Sequence, residues 1–418
     1  MNNKKILFLS ALDFKEKSIQ VIRKTPEAYA KAGWDVHYVV ARDESRHSNY
    51  CYEKVIEVEG VKTYRFNWPL QWIRDQISSR ISLLLLTKVI SLLVVIRLAW
   101  NGAKILHTTK IDVVYGYEVH GVLAIHLLSL FGLNINKDKR KVSRFQGTFL
   151  NEMIEAKQYG RILFNFDLFL ALWLPSHLCI MTDDGTQGDK ALLKISSKNL
   201  PVLHFWVNGV DVKIQEAKQV EKIRDKLNPL AEVVVFLSVS RLVNWKRVDR
   251  GIRVLSVLKD KYKITAFKYI ILGEGQERTS LEALAKDLGL SKQVLFLGAV
   301  PNSEVRNYLE VADYFISTYD SSNVGNPLLE ALGANKIIFT LNNGDTNRWI
   351  QHGVNGFIYD VDDNFFGSMA RDMYAVMRDT VLRTTISRGA KETAATKLWS
   401  WQERLDAEIN AVGNLFLQ

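Results

Sequence analysis

Short apolar runs, rich in β-branched residues, recur along the chain with polar or amphipathic segments between them. The first half carries KILFLS, DVHYVV, DVVYG, KVSRFQG and HLCIMT; the second carries VVVFLSVS, YIILGEG, VLFLG, YFISTY and KIIFT. Segments of helical periodicity such as TPEAYAKAG, RTSLEALAKDLGL and NSEVRNYLEVAD separate most of them. Strand and helix in this alternation predict parallel sheets with helices on both faces. The cadence runs to about residue 200 and restarts near 232. It therefore predicts two doubly wound Rossmann-like domains of the α/β class, facing one another across a cleft, with ligands beyond the carboxyl ends of the strands.

One segment breaks the cadence. ISLLLLTKVISLLVVIRLAW, residues 81–100, is nearly all apolar, and on a helical wheel Arg80, Thr87, Lys88 and Ser91 form a narrow polar stripe. Lys88 and Arg97 argue against a membrane-spanning helix. Two readings stay open. The apolar circumference favours a long helix packed on the first sheet; the alternative is an amphipathic helix in a lipid interface, with Trp68, Trp72 and Arg74 upstream.

The length of 418 residues exceeds one ordinary core. A hydrophobic content of 47% with 24% charged residues fits a globular chain. Cys51 and Cys179 cannot build a disulfide framework or a four-cysteine zinc site, which fits a reducing cytosol. The start, MNNKKILFLSALDF, is read as a first buried strand, because its apolar run is short and no small-residue cleavage site follows. Residues 1–200 hold 28 Lys/Arg against 19 Asp/Glu, whereas residues 201–418 hold 27 against 26. The excess points the first half toward something anionic, or marks a basic soluble surface. A nucleic-acid binder would rest on this excess alone and is set aside.

Candidate chemistry concentrates in the second half. SRLVNWKRVD puts Arg241 and Lys246 on a strand-to-helix loop, where two cations can clamp a diphosphate or form a solvated turn. Gly273-Glu274-Gly275 lacks the full dinucleotide fingerprint and reads as a tight turn. In SSNVGNPLLEALGANK, Pro327 is the expected first helical residue and Asn326 its cap. Gly325 would let a ligand approach the backbone. The free amides of such a helix start form an anion site, and Glu330 one turn in could accept a ribose diol. In the first half, His120 of YGYEVHG lies beyond a strand end, as a cleft-facing or a structural residue.

In order and spacing these pieces resemble the retaining glycosyltransferases of family 4, which have the GT-B fold. The likeness covers the whole second half. It is carried by WVNGVD, SRLVNWKRVD, LGEGQERTSLEALAKDLGL, VLFLGAVPNSEV, YLEVADYFIST, GNPLLEALGANK and HGVNGFIYD, and extends into KLWSWQERLDAEI. It implies an acceptor-side domain over 1–205, a nucleotide-sugar-binding domain over 206–390, and a segment 391–418 returning to the first. It also implies a hexosyltransferase-type enzyme that uses a nucleoside-diphosphate sugar as substrate, without metal or cofactor. Arg241 and Lys246 would hold the leaving diphosphate, Glu330 the ribose, Gly325 and Asn326 the sugar or phosphate, and backbone from Gly298 to Val300 the base.

Three positions depart from the family pattern. Ser322 stands where a second Glu, eight residues before Glu330, would contact the donor sugar; Asp320 is a candidate substitute. Gln146 stands where a His meets the sugar, and glutamine cannot shuttle a proton. DFKEKSIQ replaces the glycine pair of the first loop. These departures leave a second reading: a weak or inactive GT-B protein acting as a binding or scaffold subunit in glycan assembly. The basic first half, the segment 81–100 and the resemblance together suggest a glycan or lipid-linked acceptor in cell-surface polysaccharide synthesis. They suggest a cytoplasmic protein, peripheral at the anionic inner face of the membrane.

Overall fold

A computed structural model describes residues 4–15, 20–44, 54–77, 79–128, 140–196, 201–210, 217–227 and 233–417. Cys51, Asp211 of WVNGVD and the middle of DFKEKSIQ lie outside the described residues. The chain divides into two compact units. The first comprises residues 1–183, 187–206 and 403–418; the second comprises 184–186 and 207–402.

In the first unit the strands are β1 (Lys5–Ser10), β2 (Asp35–Arg42), β3 (Val61–Asn67), β4 (Val113–Tyr117), β5 (Arg140–Phe145), β6 (Leu178–Thr182) and β7 (Val202–Trp206). All pair in parallel, in the order β3-β2-β1-β4-β5-β6-β7. The helices are α1 (Gln20–Lys31), α2 (Gln71–Gln76), α3 (Arg80–Thr108), α4 (Glu118–Leu127), α5 (Leu150–Glu155), α6 (Tyr159–Phe164), α7 (Phe166–Trp173) and α8 (Gly188–Ile195). Central strands β1 and β4 are buried along almost their whole length, as apolar runs in a sheet covered on both faces should be.

In the second unit the strands are β8 (Val234–Val239), β9 (Phe267–Leu272), β10 (Val294–Gly298), β11 (Tyr314–Ser317), β12 (Ile337–Leu341) and β13 (Phe357–Tyr359), in the order β10-β9-β8-β11-β12-β13. The helices are α9 (Ala217–Leu227), α10 (Val248–Tyr262), α11 (Arg278–Asp287), α12 (Asn302–Val311), α13 (Asn326–Gly333), α14 (Phe365–Arg378) and α15 (Thr380–Lys397). A final helix, α16 (Trp401–Asn414), counts with the first unit from Glu403 onward.

Each sheet reverses its order beside its first strand, at β1/β4 in one unit and β8/β11 in the other. Doubly wound sheets bind ligands at such a switch point. The apolar runs identify the central strands of both sheets. They miss β3, β7 and β13, which are edge strands. The alternating burial of β3, half of it solvated, leaves no continuous apolar run to read.

Candidate functional site

At the switch point of the second unit the loops after β8 and β11 interlock. β8 leads through a single turn, Asn244–Lys246, to Arg247, whose backbone is left-handed at φ 46°. Asp320 N–H donates to the Trp245 carbonyl at 3.0 Å, and the Thr318 hydroxyl to the Arg247 carbonyl at 3.0 Å. From the other side, Leu242 N–H donates to the Glu274 carbonyl at 2.8 Å. Gly273 and Gly275 have positive φ, and a Cβ on either would collide with the Ser240 or Leu242 carbonyl. The Gly-Glu-Gly element is therefore a close-packed turn supporting the cation loop.

This framework places Lys246 on two aromatic faces. Its Nζ lies 3.5 Å from the Tyr319 ring centroid and 4.0 Å from that of Trp245. Burial pushes its pKa well below the usual lysine range; the nearby Arg241 guanidinium lowers it further, and the Asp184 carboxylate partly offsets them. No carboxylate reaches it within ion-pair distance among the described residues. Arg241 is half-buried beside it. Two cations brought together in a poorly solvated place at a sheet's carboxyl edge form a socket for a dianion.

Six residues past Tyr319, Gly325 caps α13, with Asn326 first and Pro327 second in the helix. This moves the start one residue earlier than expected, so Asn326 is not the cap. Its side-chain oxygen instead accepts from Asn208 Nδ2 at 2.9 Å. Gly325 is extended (φ −160°), and apart from Pro327 Cδ at 3.9 Å a Cβ there would meet open space. The fold has no need of glycine at 325. Leu328, Leu329, Ala331 and Leu332 are buried and anchor the helix, each leucine contributing about 2 kcal/mol. Glu330 is half-buried, one turn in. Gly298 ends β10, and its carbonyl accepts from Gly273 N–H at 2.8 Å; Val300 packs against the core.

Two expected sugar-side residues are otherwise engaged. Asp320 Oδ1 lies 2.7 Å from Arg250 Nη1 and 3.3 Å from Arg247 Nη1, an ion pair that ties its loop to α10. Ser322 is buried; its hydroxyl donates to the Asp184 carbonyl at 2.8 Å and accepts from Val324 N–H at 3.2 Å. It is turned into the protein rather than open to a donor.

Asn323 escaped the sequence reading. It is buried, its Oδ1 accepting from the Ser317 hydroxyl and Tyr319 N–H, its Nδ2 donating to Asn343 Oδ1 at 2.8 Å. This network sets the path of the loop that positions Tyr319 and the cap. An asparagine inside a Gly/Ser-rich strand-to-helix loop is the only sequence signal for it.

The other two candidates belong to the first unit. His120 is in the first turn of α4, not in a loop. Its Nε2 lies 2.8 Å from Ser91 Oγ of α3, and its ring 5.6 Å from Trp68. Burial pushes its pKa down to about 4 against the raising influence of Asp167, with Lys88 lowering it further. The ring is neutral near pH 7 and serves as a structural link between helices. Gln146 follows β5; its N–H donates to Glu118 Oε1 at 2.7 Å, and its Nε2 to the Tyr117 hydroxyl at 2.5 Å. Glu118 holds a left-handed backbone (φ 57°) at the carboxyl end of β4. Such strain concentrates at functional positions.

Comparison with known proteins bears on the fold and the family. Residues 219–393, less than half of the chain, match the family model of glycosyl transferases group 1. A lipopolysaccharide core biosynthesis glycosyltransferase, LpsE of Rhizobium meliloti, is 28% identical over 170 residues, covering 41% of this chain and 47% of that protein. The alpha-monoglucosyldiacylglycerol synthase of Acholeplasma laidlawii is 23% identical over 175 residues, 42% of each chain. The chain thus spans less than half the length of these relatives. The structure of Anabaena Alr3699/HepE in complex with UDP and glucose superposes with a TM-score of 0.69 at 15% identity, covering 99% of this chain and 100% of that one. The architecture is GT-B, and the second unit carries a glycosyl transferases group 1 region. The resemblance read from the motifs stands at that level.

Proposed function

We propose that the chain is a retaining, family 4 glycosyltransferase. It moves a sugar from a nucleoside-diphosphate sugar to a hydroxyl of a glycan or lipid-linked oligosaccharide in cell-surface polysaccharide synthesis. The carrying observation is the desolvated Lys246, held beside Arg241 and on the ring of Tyr319, six residues before the Gly325 cap of α13. A diphosphate seated there would meet two cations and the positive end of a helix. These stabilise the charge that develops as the sugar–phosphate bond breaks, so no metal ion is required. Glu330, half-buried one turn further, accepts the ribose hydroxyls, and backbone from Gly298 to Val300 lies against the base. Acceptor attack from the side the diphosphate leaves retains the anomeric configuration.

Release of nucleoside diphosphate over a panel of UDP-, GDP- and dTDP-sugars, with and without EDTA, tests the reading. Turnover of one donor, unaffected by chelator and lost in Lys246→Met, is expected. Donor binding without turnover would favour a scaffold role, for which Ser322 and Gln146 in place of acid and histidine are the supporting departures. Neither binding nor turnover would end both readings.

A further inference from the structure

Helix α3 is apolar on its outer as well as its inner face. Lys88 and Ser91 of its polar stripe are held by the protein: Lys88 Nζ lies 2.8 Å from Asp167 Oδ1, and Ser91 Oγ bonds His120. Ile90, Val94 and Leu98 on its inner face are fully buried in the first unit's core. What remains outside is mostly apolar. Ile81, Leu85, Val89, Leu92, Ile96 and Trp100 are all exposed, Leu85 and Leu92 by 60% and 59%. Their spacing of four, four, three, four and four residues makes one stripe about 28 Å long. Lys88 also lies 5.0 Å from the Phe164 ring, which places α6 and α7 alongside with exposed Leu163, Phe164 and Phe166. Single exposed apolar residues are ordinary; a continuous face of this size marks an interaction surface.

The charges select the partner. No Asp or Glu occurs from Arg80 to Thr108. Arg97 and Lys104 are exposed, each over an aromatic ring, 4.9 Å from Phe66 and 5.4 Å from Trp100. Cations whose stems run along an apolar face suit a boundary between hydrocarbon and anionic headgroups. We propose that this face of α3, α6 and α7 docks on a bilayer carrying anionic lipid. The buried inner face is inconsistent with a spanning helix. A second copy of the chain would set the same cations against each other.

The inference is independent of sugar transfer, because binding is read without donor. The full chain is floated with phosphatidylcholine vesicles and with vesicles containing phosphatidylglycerol, at low and high salt. The anionic vesicles should bind at least about tenfold more protein, with the excess lost at high salt. Leu85→Ser/Leu92→Ser/Leu163→Ser should lose about tenfold on both vesicle types while keeping the wild-type circular dichroism. The variant Arg97→Gln/Lys104→Gln, at two exposed positions, should lose only the anionic preference. Equal failure of wild type on both vesicles overturns the proposal, as does binding indifferent to these substitutions. Light scattering that shows a dimer broken by the triple variant overturns it in favour of a second copy.

Discussion

Two poorly solvated cations, the buried Arg404 of the first unit and the half-buried Lys246 of the second, are held in opposite ways. In the first unit Arg404 donates to Glu408 Oε2 at 3.0 Å, Glu408 Oε1 accepts from the Tyr115 hydroxyl at 2.6 Å, and the Arg404 guanidinium lies over Trp206. In the second unit the nearest charged neighbour of Lys246 by effect is another cation, Arg241. Burial lowers the pKa of both. Arg404 has a counter-charge supplied by the fold; Lys246 has aromatic faces and a competitor. A charge kept desolvated without its own carboxylate costs stability, and such a cost is retained where a ligand supplies the missing anion. The difference distinguishes a cation that fastens α16 from one whose anion, in the proposed function, is the donor's diphosphate.

Substitution at each position should break the comparison in opposite directions. Lys246→Met should lower kcat/KM for the donor sugar by about 10³-fold, roughly 4 kcal/mol of lost charge stabilisation, while raising the melting temperature. Arg404→Met should do the reverse. It leaves Glu408 buried and unpaired, costing about 3 kcal/mol in urea unfolding, with activity per folded molecule near wild type. If Arg404→Met abolished turnover at unchanged stability, the contrast would fail.

The pH dependence sharpens it. An anionic donor binds the ammonium form of Lys246, so donor KM should rise with pH once the depressed pKa is passed, by at most about tenfold per unit. Stability should move the other way. The unfolded lysine keeps its proton to higher pH than the folded one, so the unfolding free energy contributed by this group grows with pH through the same window. Lys246→Arg, whose charge does not titrate, should flatten the donor profile. A slope that persists in that variant would assign it elsewhere.

Glu330→Gln should raise donor KM about tenfold with a smaller change in kcat, since a ribose contact is made equally in ground and transition states. The smallest effect is expected at Ser322. Ser322→Ala removes two loop hydrogen bonds and should cost about 1 kcal/mol of stability with donor KM changed by less than about twofold.

The cation loop, the α13 element and the central strands were legible because each is written locally: apolar runs, a Gly-Asn-Pro start, two basic residues in one turn. The edge strands β3, β7 and β13 were less so: β3 alternates and is half-solvated, β7 is only partly buried, and β13 is three residues long. The helix start missed by one residue, because Asn326 looks like a cap until Asn208, more than a hundred residues earlier, is seen to hold its side chain. The contact between Tyr115 and Glu408 spans 293 residues, and no local pattern announces it. The partners of His120 and Asp320 were not legible for the same reason. Ser91, Arg247 and Arg250 take up their polar atoms, and only tertiary packing reveals that. The apolar outer face of α3 was hidden too: its polar stripe was visible, but not the partners that Lys88 and Ser91 find inside the unit.

The most direct test of the central claim is calorimetric titration of the full chain with UDP, GDP and dTDP in two buffers of different ionisation enthalpy. The account predicts that at least one nucleotide binds with uptake of a proton, and that Lys246→Met loses both the affinity and the uptake. Tight nucleotide binding that is unchanged in Lys246→Met would contradict it.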